Sequence, residues 1–245
     1  MYRDRNIIEE YKIMFDILVA EICIRIENRY SFIENQCKEW IVTESNNEVN
    51  MIVSVTEEEI IQEQTREEFS KGYCESICIY RNIAKQLHRF NAFVFHASVV
   101  SLDGRGYVFA AKSGVGKSTH ARYWLETFGE RAYVVNGDKP IIRYQNGTFY
   151  VYGTPWRGKE NWGVNAVVPL NACSFLVRGA ENKIDRMSES EVLLRLFHQV
   201  LMPQEKEAMS CFLNLMEQFL QKVPFYQLRC TKDRKAAIIA YEGMK

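Results

Sequence analysis

Residues 110–119 read AAKSGVGKST. From Ala111 to Ser118 they keep the G-x-x-x-x-G-K-[ST] spacing of a loop that cradles phosphate, with alanine at the first glycine position. Each residue type has a physical task. Backbone N–H groups of Ser113, Gly114, Val115, Gly116, Lys117 and Ser118 can converge on one anion because glycine accepts dihedrals that other residues avoid. A helix opening near Lys117 adds its positive end. Lys117 supplies a point charge for the β- and γ-phosphates. Ser118 offers a hydroxyl to Mg²⁺, with Thr119 as neighbour or stand-in. Together these residues call for ATP and Mg²⁺.

A phosphate loop binds but does not choose an acceptor, and three further stretches bear on that choice. In VVNGDKP, Asp138 follows a β-branched strand soon after the loop helix, where a metal-linked carboxylate belongs in phosphate-loop enzymes. It is the candidate Mg²⁺ ligand alongside Ser118, and the group that orients or deprotonates an acceptor hydroxyl. In FVFHASVV, His96 interrupts an apolar run whose hairpin partner leads straight into the phosphate loop. In YGTPWRGKENWG, residues 152–163, Arg157 and Lys159 are spaced to reach one anion from an extended segment and to offset charge on a transferring phosphoryl group.

These residues need elements to hold them. FVFHASVVS reads as one strand, LDGRG as a turn and GYVFAA as a second strand of a hairpin. KSTHARYWLETF reads as a helix closed by Gly129, and AYVVN as a strand. IIRYQ and TFYVYG flank Asn146-Gly147, the strongest hairpin signal in the chain. ACSFLVRG and PFYQLRC are strands; Ser188-x-x-Glu191 is a capping box; helices follow Pro203 and include KDRKAAIIAYE. Before Asn91 the texture differs. YKIMFDILVAEICIRI predicts one or two strands, VNMIVSVT another, and EEEIIQEQTREEF and CESICIYRNIAKQLHRF two helices. The expectation is an α/β chain with a mixed sheet: an N-terminal α+β subdomain over 1–90 and a phosphate-loop domain over 91–245.

Composition excludes several classes. The 245 residues carry 31 basic and 31 acidic side chains, so neither a general nucleic-acid binder nor a membrane-surface binder is expected. MYRDRNIIEEY lacks a secretory pattern, and IMFDILVAEICI is broken by Asp16 and Glu21 and too short to span a bilayer. Seven irregularly spaced cysteines without C-x-x-C read as free, largely buried thiols of a reducing, cytoplasmic setting. Cys74 and Cys78 share a helix face, but nothing completes a metal set. The sequence does not decide between a monomer and a homo-oligomer.

HASVVSLDGRGYVFAAKSGVGKST followed by NGDKP resembles the catalytic domain of HPr kinase/phosphorylase, of the phosphoenolpyruvate-carboxykinase-like phosphate-loop folds. The pattern G-K-S-T-H, D-K-P and T-P-W-x-G-K is similar to small bacterial HPr-kinase-like proteins of undefined acceptor. The resemblance covers about Asn91 to Cys173. It implies an ATP-dependent, Mg²⁺-dependent kinase acting on a serine-type hydroxyl in a protein, peptide or small molecule. In it His96 is the active-site histidine, Asp138 the second of two adjacent acidic residues, and Trp156–Glu160 a loop handling the acceptor. Gly137 stands where the first acidic residue is expected, and TPWRGKENW replaces the acceptor signature. These departures argue against HPr itself as acceptor and keep a second reading alongside, a nucleotide-binding regulator or slow NTPase. A carboxykinase is disfavoured by chain length.

Overall fold

The computed structural model describes residues 13–43, 48–65 and 68–245. Met1–Tyr11, read above for a secretory pattern, lies outside them. The chain divides into two compact units, one of Met1–Leu18 with Ile22–Asn82, the other of Val19–Glu21 with Ile83–Lys245.

In the first unit, β1 (Ile13–Val19), β2 (Ile22–Asn28) and β3 (Met51–Ser54) form a sheet in that order, with β2 and β3 parallel. Helices α1 (Ser31–Cys37), α2 (Glu57–Glu63) and α3 (Lys71–Gln86) complete it. α2 opens on a capping box between Thr56 and Glu59. It ends earlier than the acidic run predicts, and residues 66 and 67 of that run lie outside the described set. The last turn of α3 belongs to the second unit.

The second unit runs β4 (Ala92–Val94), β5 (Ala97–Leu102), β6 (Arg105–Ala110), α4 (Lys117–Phe128), β7 (Ala132–Asn136), β8 (Ile141–Gln145), β9 (Thr148–Tyr152), β10 (Val167–Arg178), β11 (Lys183–Arg186), α5 (Glu189–Leu196), α6 (Lys206–Lys222), β12 (Phe225–Cys230) and α7 (Lys235–Met244). The predicted hairpins form: Asp103-Gly104 joins β5 to β6 and Asn146-Gly147 joins β8 to β9, each pair of turn residues at positive φ. Gly129 caps α4 at φ 57°, and Ser188 with Glu191 opens α5 as a capping box.

The sheet has nine strands, with order β4-β8-β9-β10-β6-β5-β7 along its main path and β12 and β11 branching from β10. The mixed sheet agrees with the α/β class expected from the sequence. One expectation fails: FVFHASVVS is not one strand. It breaks at Phe95–His96 into β4 and β5, which lie five places apart in the sheet. Strands are spaced about 4.8 Å, so a flat sheet would separate them by about 24 Å. The chain between them reaches only about 10 Å. The sheet must therefore curl until its two ends meet. The link from β7 to β8 makes the same jump through residues 137–140.

Both faces of the curled sheet are covered. Val108 and Ala110 of β6 join the cluster of Phe93, Phe95, Phe149 and Phe225 with Phe212 and Phe219 of α6. The alternate residues Tyr107 and Phe109 face Trp124 of α4 and Ala237 and Ala240 of α7. Each fully buried large side chain contributes about 1.5–3 kcal/mol. This double burial gives β6 its continuous apolar run and fixes the strand that leads into the Ala111–Gly116 loop. All seven cysteines are free; five are buried, Cys230 is intermediate, and Cys211 is exposed on α6. Among the described residues no helix is long and apolar enough to cross a membrane.

Candidate functional site

The two crossings of the sheet seam run side by side. The amide of Phe95 donates to Pro140 O at 3.1 Å and that of Ala97 to Asp138 O at 3.1 Å, while His96 N turns away to Gln199 O at 2.7 Å. This brings the His96 and Asp138 side chains together, with Nε2 3.1 Å from Oδ1. Lys117, first residue of α4, places Nζ 3.2 Å from His96 Nε2 and donates to Ala111 O at 3.2 Å. Lys139 lies 3.7 Å from the other Asp138 oxygen. His96 Nε2 cannot serve both neighbours at once. Bearing a proton it donates to Asp138; without one it accepts from Lys117.

Burial governs the charges here. It pushes the Lys117 ammonium below the usual lysine range, opposed by Asp138 and reinforced by Lys139. Lys139 is lowered by burial too, with Asp138 opposing. Burial would raise Asp138, but the His96 hydrogen bond and the charges of Lys139, His96 and Lys117 outweigh it and hold the carboxyl below its ordinary value. The cluster thus sets two half-buried cations against one carboxylate, an arrangement suited to receiving an anion.

Asn136 fixes the carboxylate. It is fully buried at the end of β7, and its Oδ1 accepts from the amides of Asp138 at 2.9 Å and Lys139 at 2.7 Å. Its Nδ2 donates to Thr154 O at 3.1 Å and Oγ1 at 3.0 Å, and Thr154 Oγ1 donates to Lys139 O at 2.7 Å. Gly137 is closed to any side chain. A Cβ there would lie 2.7 Å from Arg157 O and 3.1 Å from Trp162 O, and its amide donates to Trp162 O at 2.9 Å. Main chain of the 156–163 loop fills the space where an adjacent acidic side chain would stand. Gly158, at φ 77°, brings the same loop over Asp138: a Cβ there would come within 2.9 Å of Asp138 Cβ.

The loop from Ala111 to Thr119 is shaped by its glycines. Gly114 at φ 79° and Gly116 at φ 127° take up the conformations glycine permits, whereas Ala111 has no positive φ, so alanine there carries no strain. Val115 N donates to Lys112 O at 3.3 Å and His120 N to Gly116 O at 2.9 Å. The amides of Gly114, Gly116, Lys117, Ser118 and Thr119 make no hydrogen bond within the described chain. Ser113 is exposed, and Ser118 and Thr119 are half-buried. This nest of free donors fits a phosphate chain. Among the described residues no three His, Cys, Asp or Glu side chains gather around a metal. A hard cation would draw its oxygens from Ser118, Asp138 and a bound phosphate together.

The family described as SynChlorMet cassette protein ScmC matches residues 73–234. The chain belongs to the ScmC family. No curated protein matches it. A solved structure, described as the Hpr(Ser) kinase/phosphatase from Coxiella burnetii, aligns over 53% of this ScmC-family chain and 97% of its own, at 13% identity and a TM-score of 0.30.

The ScmC match contains every candidate residue named so far. The structure brings His96, Lys117 and Asp138 into one cluster beside the loop from Ser113 to Thr119. Arg157 is half-buried, its Cγ 3.3 Å from the point where a Gly163 Cβ would stand. Lys159 is exposed, and no hydrogen bond or ion pair ties it to the cluster. Three residues of the site lie inside quoted motifs that do not disclose their roles. Lys139 passes as a turn residue before Pro140, although it brings a second cation to Asp138. Asn136 carries a usable signal, since an Asn two residues before a loop Asp is the pattern of an Asx turn. Thr154, in the T-P-W stretch, has none, because its role comes from contacts with Asn136 and Lys139, 18 and 15 residues away.

Proposed function

We propose that this ScmC-family chain is a Mg²⁺-dependent ATP phosphotransferase acting on a hydroxyl-bearing acceptor. The observation that carries the reading is the adjacency of the free amides of Gly114 and Gly116–Thr119 to the Lys117–His96–Asp138–Lys139 cluster. In this reading the loop amides and Lys117 hold the phosphates of ATP. Ser118 and Asp138 hold Mg²⁺, which would neutralise charge on the phosphates. The acceptor oxygen bonds to the γ-phosphorus as the bond to the β,γ-bridging oxygen breaks, ADP leaves, and the hydroxyl proton passes to Asp138. That carboxylate keeps acceptor capacity because His96 and Lys139 use only part of its lone-pair sites. Lys139 and Arg157 offset charge on the phosphoryl group in flight. The acceptor is a serine-type hydroxyl of a protein, a peptide or a small molecule; the family description names a cassette, which directs the search first to products encoded beside it.

A second reading, a nucleotide-binding regulator or slow NTPase, is favoured by Gly137, where no adjacent carboxylate can be accommodated. One experiment separates the two. ATP labelled at the γ-phosphate is incubated with Mg²⁺, candidate acceptors, and wild type, Lys117→Ala or Asp138→Asn. Label on an acceptor, lost in both variants while Asp138→Asn still binds ATP, supports the transferase. Tight ATP binding with only free phosphate released sinks it in favour of the regulator.

A further inference from the structure

β10 runs parallel to β6 and pairs with it up to Phe175 opposite Ala110. Both strands end at the same edge of the sheet. β6 passes into the phosphate loop there, while β10 continues three residues further, to Arg178, before the chain turns at Gly179. The backbone of Arg178 therefore lies alongside the loop, and its Nη2 donates to the carbonyl of Gly114 at 2.6 Å. That hydrogen bond uses one of the five N–H groups of a guanidinium. The side chain is otherwise exposed, and among the described residues no carboxylate pairs with it.

An arginine spent on a neutral carbonyl, without an acidic partner, is in a weaker arrangement than the same fork on phosphate oxygens. Its tether is the Gly114 carbonyl, which lies between the free amides of Gly114 and Gly116. We propose that Arg178 is a second phosphate-binding cation of the nucleotide site, holding the loop through Gly114 while its remaining donors engage the phosphate chain. This inference rests on the reading of the loop as a nucleotide site, and it assigns a role to a residue outside the loop motif and in a strand distant from it in sequence.

The test is equilibrium titration of the full chain with MgATP and with inorganic triphosphate. Wild type, Arg178→Ala, Arg178→Gln, Arg178→Lys and Lys117→Ala are compared, with melting temperatures as a folding control. Losing one charge-assisted contact should weaken both ligands about tenfold to hundredfold in Arg178→Ala and Arg178→Gln. Arg178→Lys, which keeps the charge, should recover most of that loss. Arg178→Gln binding like wild type would overturn the proposal, since an uncharged donor to Gly114 would then suffice. A loss confined to ATP and absent with inorganic triphosphate would overturn it as well, moving the contact to base or ribose. Wild-type binding that disappears in Lys117→Ala but is untouched in every Arg178 variant defeats this inference and leaves the nucleotide site standing. Wild type failing to bind either ligand defeats both.

Discussion

His120 occupies the first turn of α4, three residues after Lys117, and is fully enclosed. Its Nε2 accepts from Trp124 Nε1 at 3.0 Å, so the ring proton sits on Nδ1, which is buried without a partner. The ring meets Phe109 edge-on at 4.5 Å. Burial pushes its pKa down to about 3. The unfolded chain, with an ordinary value of about 6.5, takes up this proton first, so stability falls as pH falls through 6.5 towards 3. Between pH 7.5 and pH 5 the loss is about 2 kcal/mol, from RT ln(1 + 10^1.5). The figure depends little on the folded value, provided the folded ring stays neutral at pH 5. The lowered carboxyl of Asp138 adds nothing in this window, because its contribution is lost only below the carboxylate range. Urea unfolding of wild type and His120→Phe at both pH values measures the effect. The variant loses the bond from Trp124 at about 1 kcal/mol, but equally at both pH values, so that cost cancels in the difference. Wild type should lose about 2 kcal/mol more than the variant on acidification. Equal losses would refute the reasoning and place a charged or solvated imidazole in the first turn of α4.

Other substitutions test the parts that hold the cluster. Asn136→Ala strips partners from two amides and from Thr154, and should cost about 2–3 kcal/mol in urea unfolding; Asn136→Asp, which can still accept from both amides, should keep more of the proposed activity. Gly137→Ala forces a methyl against Arg157 O and Trp162 O and should cost about 1–3 kcal/mol, with transfer activity falling more than ATP affinity. Lys139→Met should lower kcat about tenfold while leaving KM for ATP within about threefold, if its charge acts on the transferring group and not on the bound nucleotide.

Local chemistry made much of the fold legible. Asp103-Gly104 and Asn146-Gly147 force their hairpins because both turn residues take positive φ, and Gly129 stops α4 for the same reason. The strand before the loop, the helix after it, and His96, Lys117 and Asp138 of the cluster are visible in two short motifs. The break at Phe95–His96 is not. Phe95, His96 and Ala97 send their amides to three partners far along the chain, and an apolar run cannot announce that. β10 is longer than its apolar core suggests because Val167–Pro169 pair with β9 while later residues pair with β6 and β12. β11, with the sequence K-I-D-R, has no strand reading above, because it is held by pairing with β12 and not by its own pattern. At Ala20 and Glu21 the β1–β2 turn takes left-handed residues without glycine or asparagine, so no turn signal marked it.

The close contact of Gly137 with Arg157 and Trp162 has a consequence for how such a site can change over generations. Residue 137 and the loop from Trp156 to Gly163 are one heritable unit. An aspartate at 137 arising alone meets a wall of main chain, and a reshaped loop arising alone leaves an unfilled gap beside Asp138. Neither single step improves on its parent, so a lineage holding this pairing stays with one carboxylate unless both segments are exchanged in one event. A designer seeking a two-carboxylate site in this scaffold faces the same bar and must graft residues 137 and 156–163 together.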